Sequence, residues 1–232
     1  MKQVKIAAIV PAAGVGSRMQ SALPKQYIKI NQQTVLEHTL NKLLSVAAIE
    51  HIMVAISPDD MWFGELGIND EKITCTEGGA QRANTVLNAL TLLKDQGVDW
   101  VLVHDAARPL VHSSDIELLI DRCLSSQTGG ILASKVKDTI KQGGQFIEAT
   151  VPRDALWQAL TPQMFQVDLL FHALTNALNA GFIVTDEASA MEHAQHPVML
   201  IAGRSDNIKI TTPEDLILAE FYLSTTRSLE TQ

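Results

Sequence analysis

The run Ile6 to Val10 is five apolar residues long and ends directly in Pro11-Ala12-Ala13-Gly14-Val15-Gly16-Ser17-Arg18-Met19. No other junction constrains the chain as much. A short apolar run bounded by turn residues is the pattern of a strand buried on both faces. The small residues behind it leave no side chains to block a ligand approaching the backbone. Arg18, followed by Lys25 in Pro24-Lys25-Gln26, places two cations within reach of that backbone. Exposed amides and fixed positive charge make a cradle for a polyphosphate, which fits a nucleoside triphosphate.

Three loop types compete for this segment. A dinucleotide fingerprint requires Gly-x-Gly-x-x-Gly and an acidic residue at the tip of the second strand. Gly14 and Gly16 fit, but Met19 stands at the third glycine position, and Ile56-Ser57-Pro58 brings no carboxylate before Asp59. A P-loop requires Gly-Lys-Ser/Thr, which does not occur. The third type is a nucleotidyltransferase loop, in which an Arg and a Lys grip the triphosphate. Gly-x-Gly also occurs in strand-to-helix turns that bind nothing, and Arg18 and Lys25 are what favour phosphate binding here.

The formal net charge of -8 argues against nonspecific binding to nucleic acid or to an anionic membrane. An acidic chain that binds a polyanion must cluster its cations, so Arg and Lys near the glycine loop carry extra weight. Cys75 and Cys123 offer neither a disulfide framework nor paired metal spacing. The N-terminal apolar run is too short for a signal segment or a membrane span. These features point to a reducing, cytoplasmic setting. With 232 residues and no linker, repeat or low-complexity segment, the chain reads as one domain.

Strand patterns recur at Ile6 to Val10, His51 to Ile56, Lys72 to Cys75, Trp100 to Val103, Gly130 to Ala133 and Val198 to Ile201. Helical stripes lie between several of them. Ile116, Leu119, Ile120, Cys123 and Leu124 form one, with Ser114 and Glu117 expected as its capping box. This alternation predicts an α/β fold with a mainly parallel sheet covered on both faces, and ligands at the carboxyl ends of its strands. Lys135 to Pro152 breaks the rhythm around Gly143-Gly144 and predicts a hairpin. Two readings of it stand: an arm that finds its burial on a partner chain, or a mobile surface loop. A last helix opens at Thr212-Pro213-Glu214-Asp215, and its tail is expected to fray after Tyr222.

Other constellations gather around the strand ends. Asp105, in Val103-His104-Asp105-Ala106-Ala107-Arg108-Pro109, is placed either to bind Mg²⁺ opposite a phosphate loop or to cap a turn. Ala106 and Ala107 leave room for a ligand, while Arg108 braces the loop or reaches into the site. Gly78-Gly79-Ala80-Gln81-Arg82-Ala83-Asn84-Thr85 permits close approach of a base or ribose, with the Thr85 hydroxyl to bond it, or is a plain turn into a helix. Asp206 and Lys209 fit a ligand site or an ordinary surface pair. His193 and His196 have ligand spacing but lack a third partner and read as a solvated helix end. Thr185-Asp186-Glu187 reads as a helix start.

Taken together, these segments resemble the 2-C-methyl-D-erythritol 4-phosphate cytidylyltransferases. The matching pieces are Pro11-Ala12-Ala13-Gly14-x-Gly16-x-Arg18-Met19, Pro24-Lys25-Gln26, Gly78-Gly79-x-x-Arg82, Val103 to Pro109, Asp138-Thr139-Ile140-Lys141, Thr161-Pro162-Gln163, Thr185 to Ser189 and Asp206-Asn207-Ile208-Lys209, in family order over nearly the whole chain. The chain departs at Thr85, where the family usually has Ser, and at Ala80, where some members carry an acid. The resemblance implies a Rossmann-like nucleotide-diphospho-sugar-transferase fold over residues 1–232. It also implies a homodimer interlocked through β-arms at about residues 135–153.

It further implies a Mg²⁺-dependent transfer of CMP from CTP to methylerythritol 4-phosphate, with pyrophosphate released. By position, Arg18 and Lys25 would stabilise the transition state, with Arg153 and Lys209 completing the cationic set. Asp105 would hold Mg²⁺ on the CTP phosphates. Pro11, Ala12, Ala13, Gly14, Gly16, Gly79, Ala80, Arg82, Thr85, Asp105 and Ala106 would surround the nucleotide. Thr139 and Arg153, from the neighbouring subunit's arm, would grip the substrate with Asp105, Arg108, Thr161 and Lys209, and Asp206 would support that site. Within the class the rival is a ribitol-5-phosphate cytidylyltransferase. Outside it the rivals are a dinucleotide-dependent oxidoreductase and a non-catalytic nucleotide sensor.

Overall fold

The run behind the glycine loop is strand β1, Ile6–Pro11, buried inside a seven-stranded sheet. The computed structural model describes residues 3–14, 19 and 23–230. After β1 the chain forms β2 (Lys29–Ile30), β3 (Gln33–Thr34), α1 (Val35–Leu44), β4 (His51–Ile56), β5 (Ile73–Glu77), α2 (Arg82–Asp95) and β6 (Trp100–Val103). Then come α3 (Ser113–Ser126), β7 (Gly130–Lys135), β8 (Ile140–Gly143), β9 (Ile147–Val151) and β10 (Trp157–Gln166). The chain ends with α4 (Val167–Asn179), α5 (Glu187–His193), β11 (Met199–Ala202) and α6 (Pro213–Glu230).

The large sheet has the order β11-β7-β10-β6-β1-β4-β5. β1 pairs in parallel with both β4 and β6, which agrees with the expected α/β class. Period-two alternation divides β1 between two cores. Ile6, Ala8 and Val10 pack with α1 and α3 through Leu36, Leu40, Ile116 and Leu119. Ala7 and Ile9 pack on the other face with α2 and α4 through Val86, Leu90, Leu170 and Leu174. A strand with helices on both sides has no solvent face, which explains its unbroken apolar run.

The chain departs from β1 towards β4 and β5 on one side, then crosses to β6 on the other. The reversal leaves a crevice at the carboxyl ends of β1 and β6, where open α/β sheets bind ligands.

The structure departs from the sequence pattern at β10, α4, the start of α3 and the end of α6. β10 was not anticipated, yet it lies between β6 and β7 and runs antiparallel to both. Its Pro162 and its many polar residues argue against a central strand. The ladder tolerates them because its register with β7 shifts between Ala159 and Gln163. α4 was also missed, although Val167, Leu170, Leu174 and Ala177 keep a helical spacing. The Ser114–Glu117 capping box does not form, because α3 starts earlier with His112 as a cap that makes no side-chain bond. Capping boxes do form at Thr34 with Glu37 and at Asp186 with Ser189. Finally, α6 runs on to Glu230 instead of fraying after Tyr222. Ser224 and Thr225 give their hydroxyl protons to the Phe221 carbonyl at 2.8 and 2.9 Å, back onto the helix's own backbone.

β8 and β9 form their own two-stranded antiparallel sheet, as the Gly143-Gly144 pattern predicts. Its tip carries Phe146 at 78% and Ile147 at 69% exposure.

Candidate active site

The crevice at the ends of β1 and β6 holds a cavity of about 270 Å³. Its walls are Pro11 at the end of β1 with Ala12 to Gly14 behind it, Lys25 and Gln26, Gly79 to Arg82 with Thr85 at the start of α2, Asp105 to Ala107 behind β6, and Lys209. A second hollow of about 300 Å³ shares Arg82, Asp105 and Lys209 and adds Arg108, Thr161, Gln163, Thr185 and Asp186.

The loop before α2 is glycine-rich because it has no room for side chains. A Cβ on Gly78 would lie 2.5 Å from the Ala13 Cβ, and one on Gly79 would lie 2.5 Å from the Asn84 Cβ and 2.9 Å from its carbonyl carbon. The Thr85 hydroxyl accepts from the Gly79 amide at 2.9 Å and donates to the Gln81 carbonyl at 3.1 Å. That hydroxyl therefore shapes the loop that lines the cavity.

Asp105 sits where the two hollows meet. Arg82 lies 3.2 Å from its Oδ1, and Lys209 lies 2.9 Å from its Oδ2. Arg108 Nε is 3.5 Å from Oδ2, an ion pair without a hydrogen bond. Burial alone would raise the carboxyl pKa, but Arg82, Lys209 and Arg108 outweigh it and hold the group well below the usual carboxylate range. Arg82 is itself clamped, since its two terminal nitrogens bond the Glu187 carboxylate at 2.7 and 3.1 Å. Glu187 is fully buried at the first position of α5, and leaving it unpaired would cost roughly 3–5 kcal/mol. Gln163 secures that corner by donating to Asp186 at 2.8 Å and accepting from the Ala188 amide at 2.9 Å.

Behind Asp105 stands His104, fully buried. Its Nε2 lies 3.1 Å from the Arg108 carbonyl, an acceptor only, so Nε2 carries the proton in the neutral ring. Nδ1 then accepts from the Thr161 hydroxyl at 3.0 Å, and that oxygen accepts from the Asp105 amide at 3.0 Å. Asn207 adds a bond from its side-chain amide to the Thr161 carbonyl at 2.8 Å, while its own carbonyl takes Arg108 Nη1 at 2.6 Å. Burial pushes the His104 pKa down to about 4 against the opposing pull of Asp105, so the ring stays neutral.

Among the described residues no group of three His, Cys, Asp or Glu forms a metal cage. Asp105 fits the other kind of divalent site, one ionised carboxylate completed by a substrate's phosphate oxygens, which suits Mg²⁺.

A family model described as 2-C-methyl-D-erythritol 4-phosphate cytidylyltransferase matches residues 6–225. The protein of that name from Pseudoalteromonas translucida (strain TAC 125) is 61% identical over 218 residues, 94% of this chain and 90% of the relative. The one from Vibrio atlanticus (strain LGP32) is 55% identical over 222 residues, 94% and 95% of the two chains. The chain belongs to the 2-C-methyl-D-erythritol 4-phosphate cytidylyltransferase family. The crystal structure of the Francisella tularensis cytidylyltransferase matches with a TM-score of 0.80 at 38% identity, covering 94% of this chain and 99% of that one.

Seen as a cytidylyltransferase, the chain brings together in one cleft Pro11, Ala12, Ala13, Gly14, Lys25, Gly79, Ala80, Arg82, Thr85, Asp105, Ala106 and Lys209. Arg108 and Thr161 line the neighbouring hollow, but both are buried and their polar groups brace the loop behind Asp105. Three candidates lie elsewhere in this chain. Thr139 sits at the root of the β8–β9 arm, and Arg153 is exposed there and bonds the Lys137 carbonyl of its own arm. Asp206 takes Arg204, with Nη2 to Oδ2 at 2.6 Å, and lies 4.0 Å from His112. Gly16 and Arg18 fall outside the described residues.

Sequence reasoning missed Gln26, His104, Gln163, Glu187 and Asn207. Each stood inside a quoted motif of this cytidylyltransferase, but none has a residue type that marks it as more than a cap or core polar group.

The depressed His104 pKa sets a pH dependence. An unfolded imidazole takes up a proton below about pH 6.5, whereas folded His104 does so only near pH 4, so stability must be lost as pH falls through that window. His51, also lowered by burial, acts in the same direction, and the lowered Asp105 acts below both. The urea midpoint is expected to fall between pH 6.5 and 4, with a shallower slope in His104→Gln. Equal slopes in the two proteins would show that His104 is not held neutral.

Proposed function

We propose that this cytidylyltransferase transfers CMP from CTP to 2-C-methyl-D-erythritol 4-phosphate in the cytoplasm, with Mg²⁺ and as a homodimer. The reading is carried by one observation: a carboxylate held ionised between Arg82 and Lys209 in the same cleft as Lys25 and the small-residue backbone behind β1. A phosphate oxygen of the alditol forms a bond to the α-phosphorus of CTP, and the bond to the β-phosphate oxygen breaks, so pyrophosphate leaves. The nucleophile is already an anion, so no strong general base is required. The obstacle is bringing one anion onto another, and positioning with cationic screening meets it.

Pro11 to Gly14 and Gly79 to Arg82 take the nucleotide, with Thr85 keeping the second loop in shape. Lys25 faces the charge that develops at the α-phosphate, and Arg18 is the second cation that the family motif assigns to that task. Lys209 and Arg108 border the hollow suited to the alditol phosphate, and Glu187 keeps Arg82 fixed at Asp105. Mg²⁺ bound at Asp105 would neutralise charge on the triphosphate.

Supporting the cytoplasmic reading, both cysteines are free, and among the described residues no helix is long and apolar enough to cross a membrane. The exposed Phe146 and Ile147 at the arm tip support burial against a second copy, because an isolated hairpin has no core of its own. In that dimer the partner's Thr139 and Arg153 reach the alditol phosphate. This reading accounts for two candidate residues that the cleft of a single chain leaves out.

Pyrophosphate release with CTP and Mg²⁺ is expected with 2-C-methyl-D-erythritol 4-phosphate and not with ribitol 5-phosphate; preference for ribitol would overturn the substrate assignment. Asp105→Asn should remain folded and lose its response to Mg²⁺, because the amide lacks the anionic oxygen. An unchanged Mg²⁺ titration would make Asp105 a structural group. Lys25→Ala is expected to lower kcat by roughly 10²–10³. Lys25→Ala and Arg153→Ala dimers should each be nearly inactive, yet mixing them should restore activity towards half the wild-type value per heterodimer. One site then collects both defects and the other none. Proven heterodimers without recovery would return Arg153 to its own chain.

A further inference from the structure

Lys25 sits on a single 3-10 turn, Lys25–Tyr27, and its neighbour Gln26 points inward with only 3% exposure. The Gln26 side-chain nitrogen lies 2.6 Å from the Ala12 carbonyl and 3.1 Å from the Gly14 carbonyl. Both protons of one amide therefore go to two backbone acceptors of the loop behind β1. The Ala12 amide still continues the sheet by donating to the Ala55 carbonyl at 2.8 Å, but the Ala12 carbonyl is turned to Gln26. The peptide unit is planar and trans, so the Ala13 amide must point opposite to that carbonyl, away from Gln26. The direction of the cradle backbone is thus set by a side chain and not by the sheet.

The turn is held from its other side as well. The Tyr27 hydroxyl donates to Asp60 at 2.7 Å, and its ring packs on Trp62 with centroids 5.6 Å apart. Asp60 in turn accepts from the Trp62 and Phe63 amides at 3.0 and 2.8 Å. Lys25 reaches the Ile210 carbonyl at 3.0 Å. A turn anchored in this way moves little, so the bonds from Gln26 also set the distance between Lys25 and the loop.

We propose that Gln26 is a positioning residue for the nucleotide. Its carboxamide aims the backbone between β1 and Gly14 at the triphosphate and keeps Lys25 in register with it. The inference rests on CTP being the nucleotide, as argued above. Gln26 does not touch the reacting atoms, and it has no part in binding the alditol phosphate.

Gln26→Glu keeps the shape but, when ionised, offers no proton to either carbonyl. Gln26→Met keeps the bulk and offers none at any pH. CTP affinity by calorimetry, both KM values, kcat and the melting temperature are compared with wild type between about pH 8 and about pH 6. At the upper end both variants should bind CTP about tenfold or more weakly, the worth of one net hydrogen bond, with the alditol phosphate KM unchanged.

As pH falls, the buried carboxyl of Gln26→Glu takes up a proton, regains one donor, and should recover part of its CTP affinity. Gln26→Met should not recover. Normal CTP affinity in both variants would overturn the proposal, as would parallel loss of both KM values. Failure of both to fold would overturn it too, because the bonds would then hold the core and not aim the loop. Wild type in the same assays separates these outcomes from failure of the CTP assignment, since in that case wild type neither binds CTP nor releases pyrophosphate.

Discussion

Asp105 brings a negative charge to the end of a buried strand, and most of the site is arranged around keeping that charge paired. A carboxylate removed from water in this way is tolerated only with cations and hydrogen bonds close by. Arg82 comes from the start of α2, Arg108 from the turn behind β6, and Lys209 from the segment before α6. One ion cluster therefore ties together parts of the chain more than a hundred residues apart, from Arg82 to Lys209. The fully buried Glu187 extends the cluster into α5 and leaves Arg82 no freedom to depart. Lys209, with a side chain 39% exposed, is the more accessible of the two cations that contact Asp105 within 3.2 Å.

The nucleotide side of the cleft depends on backbone direction more than on charge. Gly78 approaches Ala13 so closely that the two loops behave as one wall, and Thr85 closes the second loop with bonds to Gly79 and Gln81. Gln26 performs a similar task for the first loop through Ala12 and Gly14. Behind Asp105, the neutral His104 and Thr161 hold the β6 turn by the same device, a buried side chain that completes the backbone's hydrogen bonds. Three loops thus meet at one cleft, each held by buried polar side chains that complete its backbone hydrogen bonds.

This division explains which parts of the fold were legible. β1, β4 and β6 announce themselves as apolar runs because helices cover both their faces. The hairpin was legible from Gly143-Gly144 and the alternating residues around them. β10 was not, since Pro162 and its polar neighbours contradict a central strand, and only the register shift against β7 lets them stand there. The α3 start was misplaced because Ser114 and Glu117 have the right spacing for a box, but spacing alone does not decide where the first turn begins. The spacing of Asp206 and Lys209 leaves a surface pair open and only the family resemblance puts Asp206 at the site, yet its carboxylate turns to Arg204.

While Arg82 and Lys209 entered the site through the family resemblance, the sequence by itself determined the strand-and-glycine junction, the α/β class, and the candidacy of Lys25 and Asp105. These are properties of local periodicity and side-chain chemistry, which need no knowledge of distant partners. Only the tertiary structure decided which cations meet Asp105, that Glu187 pins Arg82, that His104 is neutral with its proton on Nε2, and that Gln26 turns the loop behind β1. The Nε2 proton and the Arg108 pair rest on contacts within the β6 turn itself, and the others depend on contacts between segments further apart in the chain. Burial converts an ordinary polar side chain into one whose every hydrogen bond must be met, and which residues are buried together is settled only when the sheet closes over them.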